Sequence, residues 1–121
     1  MEPMKLHSPI VTPLRAIVVL VLLGAAMARP AASDDAFNIA IAIKDHKFVP
    51  SEVTAPVGRK LRIVVRNEDG ATSEFESSDF HREKVVVAGG EITVYVGPLD
   101  AGSYEFFDDF HPQTRGHLVV K

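Results

Sequence analysis

Residues 102–120 have the sequence GSYEFFDDFHPQTRGHLVV, and this stretch contributes most to the interpretation of the fold. The aromatic residues of 103–107 favour a β-strand, and 117–120 is a second short apolar segment of the same kind. Between these two segments the sequence changes abruptly to two aspartates, followed by a histidine and a proline. The stretch therefore predicts two strands joined by a loop that is rich in ionisable groups.

The residues before this stretch show the two-residue period of half-buried strands. Phe37, Ile39, Ile41 and Ile43 alternate with smaller or polar residues, as expected when one face of a strand is buried. Shorter segments follow, and the Ala-Gly-Gly sequence at 88–90 predicts a hairpin between two of them. About seven short strands without a helical period predict an all-β fold, a single-domain antiparallel Greek-key β-sandwich. The other predicted strands cover 52–55, 61–66, 83–87 and 91–96.

The N-terminus has the layout of a secretory signal peptide. Lys5 and Arg15 precede an apolar run at 16–28, and small residues follow it. This run is shorter than the roughly 20 apolar residues that span a bilayer. We therefore expect residues 1–33 to be a signal peptide and residues 34–121 to form a periplasmic domain that is soluble after cleavage. An uncleaved anchor formed by the same segment is the alternative.

The composition excludes several classes of function. The chain has 121 residues, a net charge of −3 and no basic run, so we do not expect it to bind nucleic acid. It contains no cysteine, which excludes disulfides, thiolate metal ligands and a cysteine nucleophile. It also lacks a Gly-x-Ser-x-Gly motif and a phosphate-binding glycine loop. We therefore do not expect a stand-alone enzyme.

Six side chains are candidate metal ligands. Two of them, Glu74 and Glu76, flank Phe75, and in an extended strand they share one face. Carboxylates together with imidazole suit divalent first-row metals such as Fe²⁺, Mn²⁺ or Cu²⁺. The alternative is that these residues are solvated surface groups, some of them paired with neighbouring Arg or Lys side chains. The candidates are Glu74, Glu76, Glu83, Asp108, Asp109 and His111.

The C-terminal residues resemble the last two strands of the cupredoxins. In that family a Gly-x-Tyr-x-aromatic strand leads to a copper-binding Cys, a His-Pro and a Met, and a Gly-x-Leu-x-Val strand closes the domain. Here Asp108 stands at the Cys position, Thr114 lies near the Met position, and His111 alone matches a copper ligand. The resemblance covers about residues 37–121 and implies a metal-binding sandwich without a blue-copper centre.

Three short segments more narrowly resemble the EfeO-type cupredoxin-like proteins of bacterial periplasmic iron uptake. This resemblance implies a protein that binds or oxidises ferrous iron. It also implies two partners, a periplasmic iron-binding protein and an inner-membrane iron permease. The bound ion is expected to be iron or copper. A single metal site needs a partner protein or an external electron acceptor for net oxidation of ferrous iron. We therefore do not expect the chain to be an enzyme on its own. The segments are 74–76, 82–84 and 107–112.

The predicted site requires two loops at one end of the sandwich to bring Glu74 and His111 around one ion. The third ligand is Asp108 or Asp109, and at most one of them is expected to join because adjacent strand residues face opposite ways. Glu76 and Glu83 are additional or transfer ligands. Two other functions remain open: an exported interaction module without a metal, and a copper carrier without blue-copper chemistry.

Overall fold

A computed structural model describes residues 2–5 and 35–121 of the chain. The chain divides into two compact units, Met1–Ala31 and Ala32–Lys121, and the second unit contains the strands. The expected signal peptide lies almost entirely outside the described residues. Within the described ranges, no helix is long and apolar enough to cross a membrane.

Residues 35–121, the main part that the structure describes, form nine strands in two sheets. The strands are β1 Phe37–Lys44, β2 Lys47–Val49, β3 Glu52–Ala55, β4 Leu61–Asn67, β5 Ser73–Ser77, β6 Arg82–Val86, β7 Glu91–Val96, β8 Gly102–Asp108 and β9 His111–Val120. Sheet A has the strand order β2-β1-β4-β7, and sheet B has the order β3-β9-β8-β5-β6. The prediction of an all-β sandwich is confirmed.

The two strands beyond the predicted seven are β2 and β5. β2 is short and forms a hairpin with β1, and its few residues show no clear alternation. β5 carries Phe75 as its single large apolar residue among serines and glutamates, so its sequence gives little sign of a buried face. β9 also begins earlier than predicted, at His111, because the loop residues after Phe110 pair with β8.

The predicted hairpin at 88–90 is wrong. β6 pairs with β5 in sheet B, while β7 pairs with β4 in sheet A. The turn, closed by a hydrogen bond from Gly90 N to Val87 O of 2.8 Å, therefore carries the chain from one sheet to the other. The sheets are also not wholly antiparallel, because β1 with β4 and β3 with β9 are parallel pairs. Parallel strands need a long crossover connection, and in each of these pairs the connection passes through the other sheet before the chain returns.

Side chains from the inner faces of the two sheets form the core. An aromatic group lies within it, with ring centroids 4.9 Å apart for Phe48 and Phe106 and 5.3 Å apart for Phe75 and Phe106. Such aromatic pairs stabilise a fold beyond the burial of their area. Since Phe75 has to point inward to join this group, the residues on either side of it in β5 point outward.

Gly116 of β9 packs against the aromatic group, and its substitution tests this packing. A Cβ atom there would lie 2.5 Å from Cζ of Phe106 and 2.9 Å from the carbonyl oxygen of Ser51. We expect Gly116→Ala to lower the free energy of unfolding by about 1–3 kcal/mol through overpacking, measured by urea denaturation. Gly70→Ala is the control, because no atom lies within 4 Å of its Cβ position. Equal losses in the two variants would contradict this account of the core.

Candidate metal centre

Three glutamates meet on the outer face of sheet B. Phe75 is fully buried, so the alternation of β5 places Glu74 and Glu76 on the opposite face. β6 pairs with β5 in a register that sets Glu83 directly across from Glu76. A carboxylate oxygen of each glutamate lies within 4.8 Å of one from each of the other two. We refer to Glu74, Glu76 and Glu83 as the acidic cluster.

Burial and like charges both disfavour ionisation of the acidic cluster. Burial raises the pKa of Glu74, and a hydrogen bond and charge repulsion from Glu83 raise it further. Burial also raises the pKa of Glu76, together with repulsion from Asp109 and Glu83. Neighbouring carboxylates with elevated pKa values are typical of functional sites. A bound cation would remove the repulsion, so the electrostatics of the cluster favour one.

The basic side chains of β6 do not neutralise the acidic cluster. Arg82 Nε donates to the carbonyl oxygen of Tyr95 at 2.9 Å, and Lys84 Nζ donates to that of Thr93 at 3.4 Å. Of the ion pairs formed between residues that the structure describes, none includes a glutamate of the cluster. An open pocket of about 350 Å³ adjoins it. An ion at the cluster would therefore be reachable from solvent.

Asp109 supplies a fourth carboxylate near the acidic cluster. Its backbone N–H donates to the carbonyl oxygen of Glu74 at 3.0 Å, which ties the loop after β8 to β5. Its side chain is exposed, and its charge raises the pKa values of Glu74 and Glu76. The cluster is therefore rich in carboxylate oxygens, which are hard ligands.

Asp108 and His111 form a separate group on the inner side of sheet B. Asp108 lies opposite Phe75 in the strand register and is fully buried. Its carboxylate accepts hydrogen bonds from two backbone N–H groups, at 3.0 Å each, and lies 2.9 Å from Nδ1 of His111. Burial by itself raises the pKa of Asp108. Hydrogen bonds to the carboxylate outweigh this effect and hold the pKa below its usual range; they come from the backbone of Glu74, from Ser73, from His111 and from a second backbone N–H.

The structure does not bring Glu74 and His111 into one group of candidate ligands. The acidic cluster, found among the described residues, contains neither Asp108 nor His111. It is the backbone N–H of Glu74 that reaches the Asp108 carboxylate. Of the two aspartates, Asp109 lies beside the cluster. The six predicted residues are therefore divided between an oxygen-rich surface group and a buried carboxylate with a histidine.

His46 is a neighbour of His111 that the sequence analysis did not identify. It lies in the turn between β1 and β2, and the centroid of its ring is 4.6 Å from that of His111. The two histidines are far apart in the sequence: His46 lies in a turn between two strands of sheet A, and His111 begins β9 of sheet B. No local motif connects them, so only the fold shows that they meet.

The two-sheet sandwich, whose last strand begins with His111-Pro112, is a cupredoxin-like fold. A family model described as the cupredoxin-like domain matches residues 15–120, and the chain belongs to this family. A protein of Rickettsia prowazekii (strain Madrid E), RP394, is 44% identical over 89 residues, which cover 73% of this chain and 71% of the relative.

Solved copper proteins share this fold. Auracyanin A, a blue copper protein from Chloroflexus aurantiacus, has a TM-score of 0.63 and 16% identity over 70% of this chain and 98% of its own. The Cu(I)-bound metal-binding domain of CopA, a Cu(I)-exporting ATPase of Streptococcus pneumoniae, has a TM-score of 0.62 and 15% identity, covering 69% and 84% of the two chains. Amicyanin from Paracoccus versutus has a TM-score of 0.57 and 21% identity over 72% and 82%.

The residues of this chain do not fit a blue-copper centre. Such a centre needs a cysteine thiolate with two imidazoles, and the sequence contains no cysteine. The buried carboxylate of Asp108 stands between β5 and His111 instead. The chain therefore combines a metal-binding fold with a donor set of oxygen and imidazole nitrogen.

The raised pKa of Glu76 predicts the pH dependence of stability in the metal-free protein. Because its folded-state pKa lies above the ordinary value of 4.5, the stabilisation from this group is present below that value and is lost as the pH rises through the folded-state pKa. We expect Glu76→Gln to raise the melting temperature near neutral pH in the presence of a chelator. The difference should disappear below about pH 4.5.

Glu52→Gln is the matched control for this measurement. Glu52 lies in β3, at the edge of sheet B opposite to β6, and it is exposed. The Glu52→Gln substitution should therefore leave the melting temperature unchanged both near neutral pH and below about pH 4.5. A lower melting temperature for Glu76→Gln near neutral pH would show that repulsion does not dominate at the acidic cluster.

Proposed function

We propose that this protein is an exported metal-binding protein that binds ferrous iron at the acidic cluster and passes it to an iron-uptake system. The observation that carries the proposal is the convergence of three glutamate carboxylates within 4.8 Å of one another. Their repulsion is a cost to the metal-free protein, and a bound cation turns it into an attraction.

The ligand type supports iron as the bound ion. Carboxylate oxygens are hard donors that suit cations such as Mn²⁺ and the iron ions better than soft Cu(I). Hard oxygen ligands also favour Fe³⁺ over Fe²⁺, so bound iron becomes easier to oxidise when an acceptor is present. A single ion gives up one electron and needs an external acceptor, which is why we assign binding and delivery rather than stand-alone catalysis.

The position of the cluster supports transfer of the ion to another protein. Glu83 and Asp109 are exposed, and the cluster opens onto a pocket. Two of its glutamates come from β5 and one from β6, the strand at the edge of sheet B. An ion held there remains accessible to ligands of a second protein. The partners we propose are a periplasmic iron-binding protein and an inner-membrane iron permease.

Anaerobic titration with Fe²⁺ tests the binding site. We expect the full-length protein to bind one Fe²⁺ in the micromolar range, and Glu76→Gln combined with Glu83→Gln to weaken this binding by at least roughly tenfold, measured by calorimetry. Glu52→Gln should bind as the unsubstituted protein does. Failure of the unsubstituted protein to bind Fe²⁺ would favour the alternative of an exported interaction module without a metal.

Cell fractionation and uptake measurements test the location and the pathway. We expect the protein in the periplasmic fraction with residues 1–33 removed, as shown by the mass of the mature chain. We also expect uptake of ferrous iron to fall when the protein is deleted and to be restored by the unsubstituted protein but not by the Glu76→Gln, Glu83→Gln variant. Normal uptake in the deletion strain would exclude a role in iron transport.

A further inference from the structure

The two-residue turn between β1 and β2 has a left-handed backbone that hydrogen bonds from other parts of the chain hold in place. Asp45 and His46 have φ values of 50° and 55°, as the favoured two-residue turn of a β-hairpin requires, and Asp and His enter this region more readily than most residues. The carboxylate of Asp69 accepts hydrogen bonds from both backbone N–H groups, at 2.7 and 3.0 Å. The hydroxyl of Thr114 donates to the carbonyl oxygen of His46 at 2.5 Å. The backbone of His46 is thus fixed from two sides.

This anchoring places the ring of His46 beside the ring of His111. Their centroids lie 4.6 Å apart and their planes are inclined by 43°. The side chain of His46 is 56% exposed and that of His111 is 28% exposed, so little apolar burial is gained from the contact. Two imidazoles at this distance also repel each other when both are protonated. A shared ligand gives a physical reason for two polar, partly exposed rings to be held side by side.

The imidazole of His111 has a carboxylate within hydrogen-bond distance of Nδ1. Nδ1 of His111 is 2.9 Å from the buried carboxylate of Asp108, whereas Nδ1 of His46 is 3.9 Å from that of Asp69, beyond hydrogen-bond distance. Backbone N–H donors also point at Asp108, so Asp108 acts as an acceptor and Nδ1 of neutral His111 carries the proton. Nε2 of His111 then keeps its lone pair. Carboxylates behind metal-binding histidines fix the tautomer and raise the basicity of the ligand in this way.

We propose that His46 and His111 together bind Cu²⁺, at a site separate from the acidic cluster. Metal–nitrogen bonds of about 2.0–2.1 Å allow one ion to join two nitrogens up to about 4 Å apart. The proposal requires the exposed ring of His46 to turn until one of its nitrogens lies within that distance of Nε2 of His111. Cu²⁺ is the divalent first-row ion that such donors bind most tightly. Water completes the coordination, since the exposed His46 ring leaves the site open to solvent.

This proposal does not depend on iron binding at the acidic cluster. The two groups lie on opposite sides of β5, because Asp108 is on the inner side with Phe75 and the glutamates are on the outer side. The proposed copper ligands are two imidazoles without a thiolate, and one of them comes from the β1–β2 turn. Asp108 is a positioning residue that acts through Nδ1 of His111, and Asp69 is one that acts through the backbone of the turn.

Electron paramagnetic resonance of Cu²⁺ tests the site in full-length protein that carries Glu74→Gln, Glu76→Gln and Glu83→Gln. These changes remove the acidic cluster as a competing ligand set. With one equivalent of Cu²⁺, we expect hyperfine coupling to two imidazole nitrogens. His46→Asn should reduce this to one nitrogen and weaken binding by at least roughly tenfold. Asparagine tolerates a positive φ, so this substitution keeps the turn.

Two further variants distinguish a copper site from scattered surface binding. His117→Asn changes a histidine that lies near Glu105 on the exposed side of β9, and it should leave the spectrum and the affinity unchanged. Asp108→Asn should keep two coordinated nitrogens but weaken binding by about 10–100-fold, as the loss of a carboxylate behind a ligand does. An unchanged spectrum in His46→Asn, or equal loss in His117→Asn, would overturn the proposal.

Discussion

A buried carboxylate organises one end of this molecule. Asp108 is fully buried at the end of β8, where it accepts hydrogen bonds from the backbone of β5, from the loop that follows β8 and from an imidazole. A charge removed from water is costly unless such donors surround it. Because the donors are backbone groups of β5 and of the next loop, satisfying Asp108 fixes the positions of both. The placement of His111 and the course of the loop that carries Asp109 depend on this arrangement.

The alternation of β5 converts this arrangement into two chemically different surfaces. Phe75 joins the aromatic core, and Asp108 lies on the same side of the sheet. Glu74 and Glu76 consequently face outward, where Glu83 meets them from the neighbouring strand. Carboxylate oxygens lie together on the outer face, and two imidazole rings lie side by side at the β1–β2 turn. The family fold is thus retained while the thiolate chemistry of its copper-binding members is absent.

The sequence was sufficient for the fold class but not for the arrangement of the site. The regular alternation of Phe37 through Ile43 predicts a half-buried strand because that period is a local property. The shared face of Glu74 and Glu76 was predictable for the same reason. The sequence at 88–90 predicts a turn, but which sheet the following strand β7 joins depends on long-range packing. The separation of Glu74 from Asp108 follows from the register of β5 against β8. The meeting of His46 with His111 follows from tertiary structure. Neither is visible in a local sequence pattern.

The edge position of β6 has a consequence for self-association. An edge strand offers unpaired backbone groups to a strand of another molecule, and charged side chains are a common defence against such pairing. β6 carries Arg82, Glu83 and Lys84 in succession, followed by the exposed Val85. The carboxylate of Glu83 therefore belongs both to the acidic cluster and to the charge that keeps molecules apart. The charge of the acidic cluster and resistance to strand addition are linked through this one side chain.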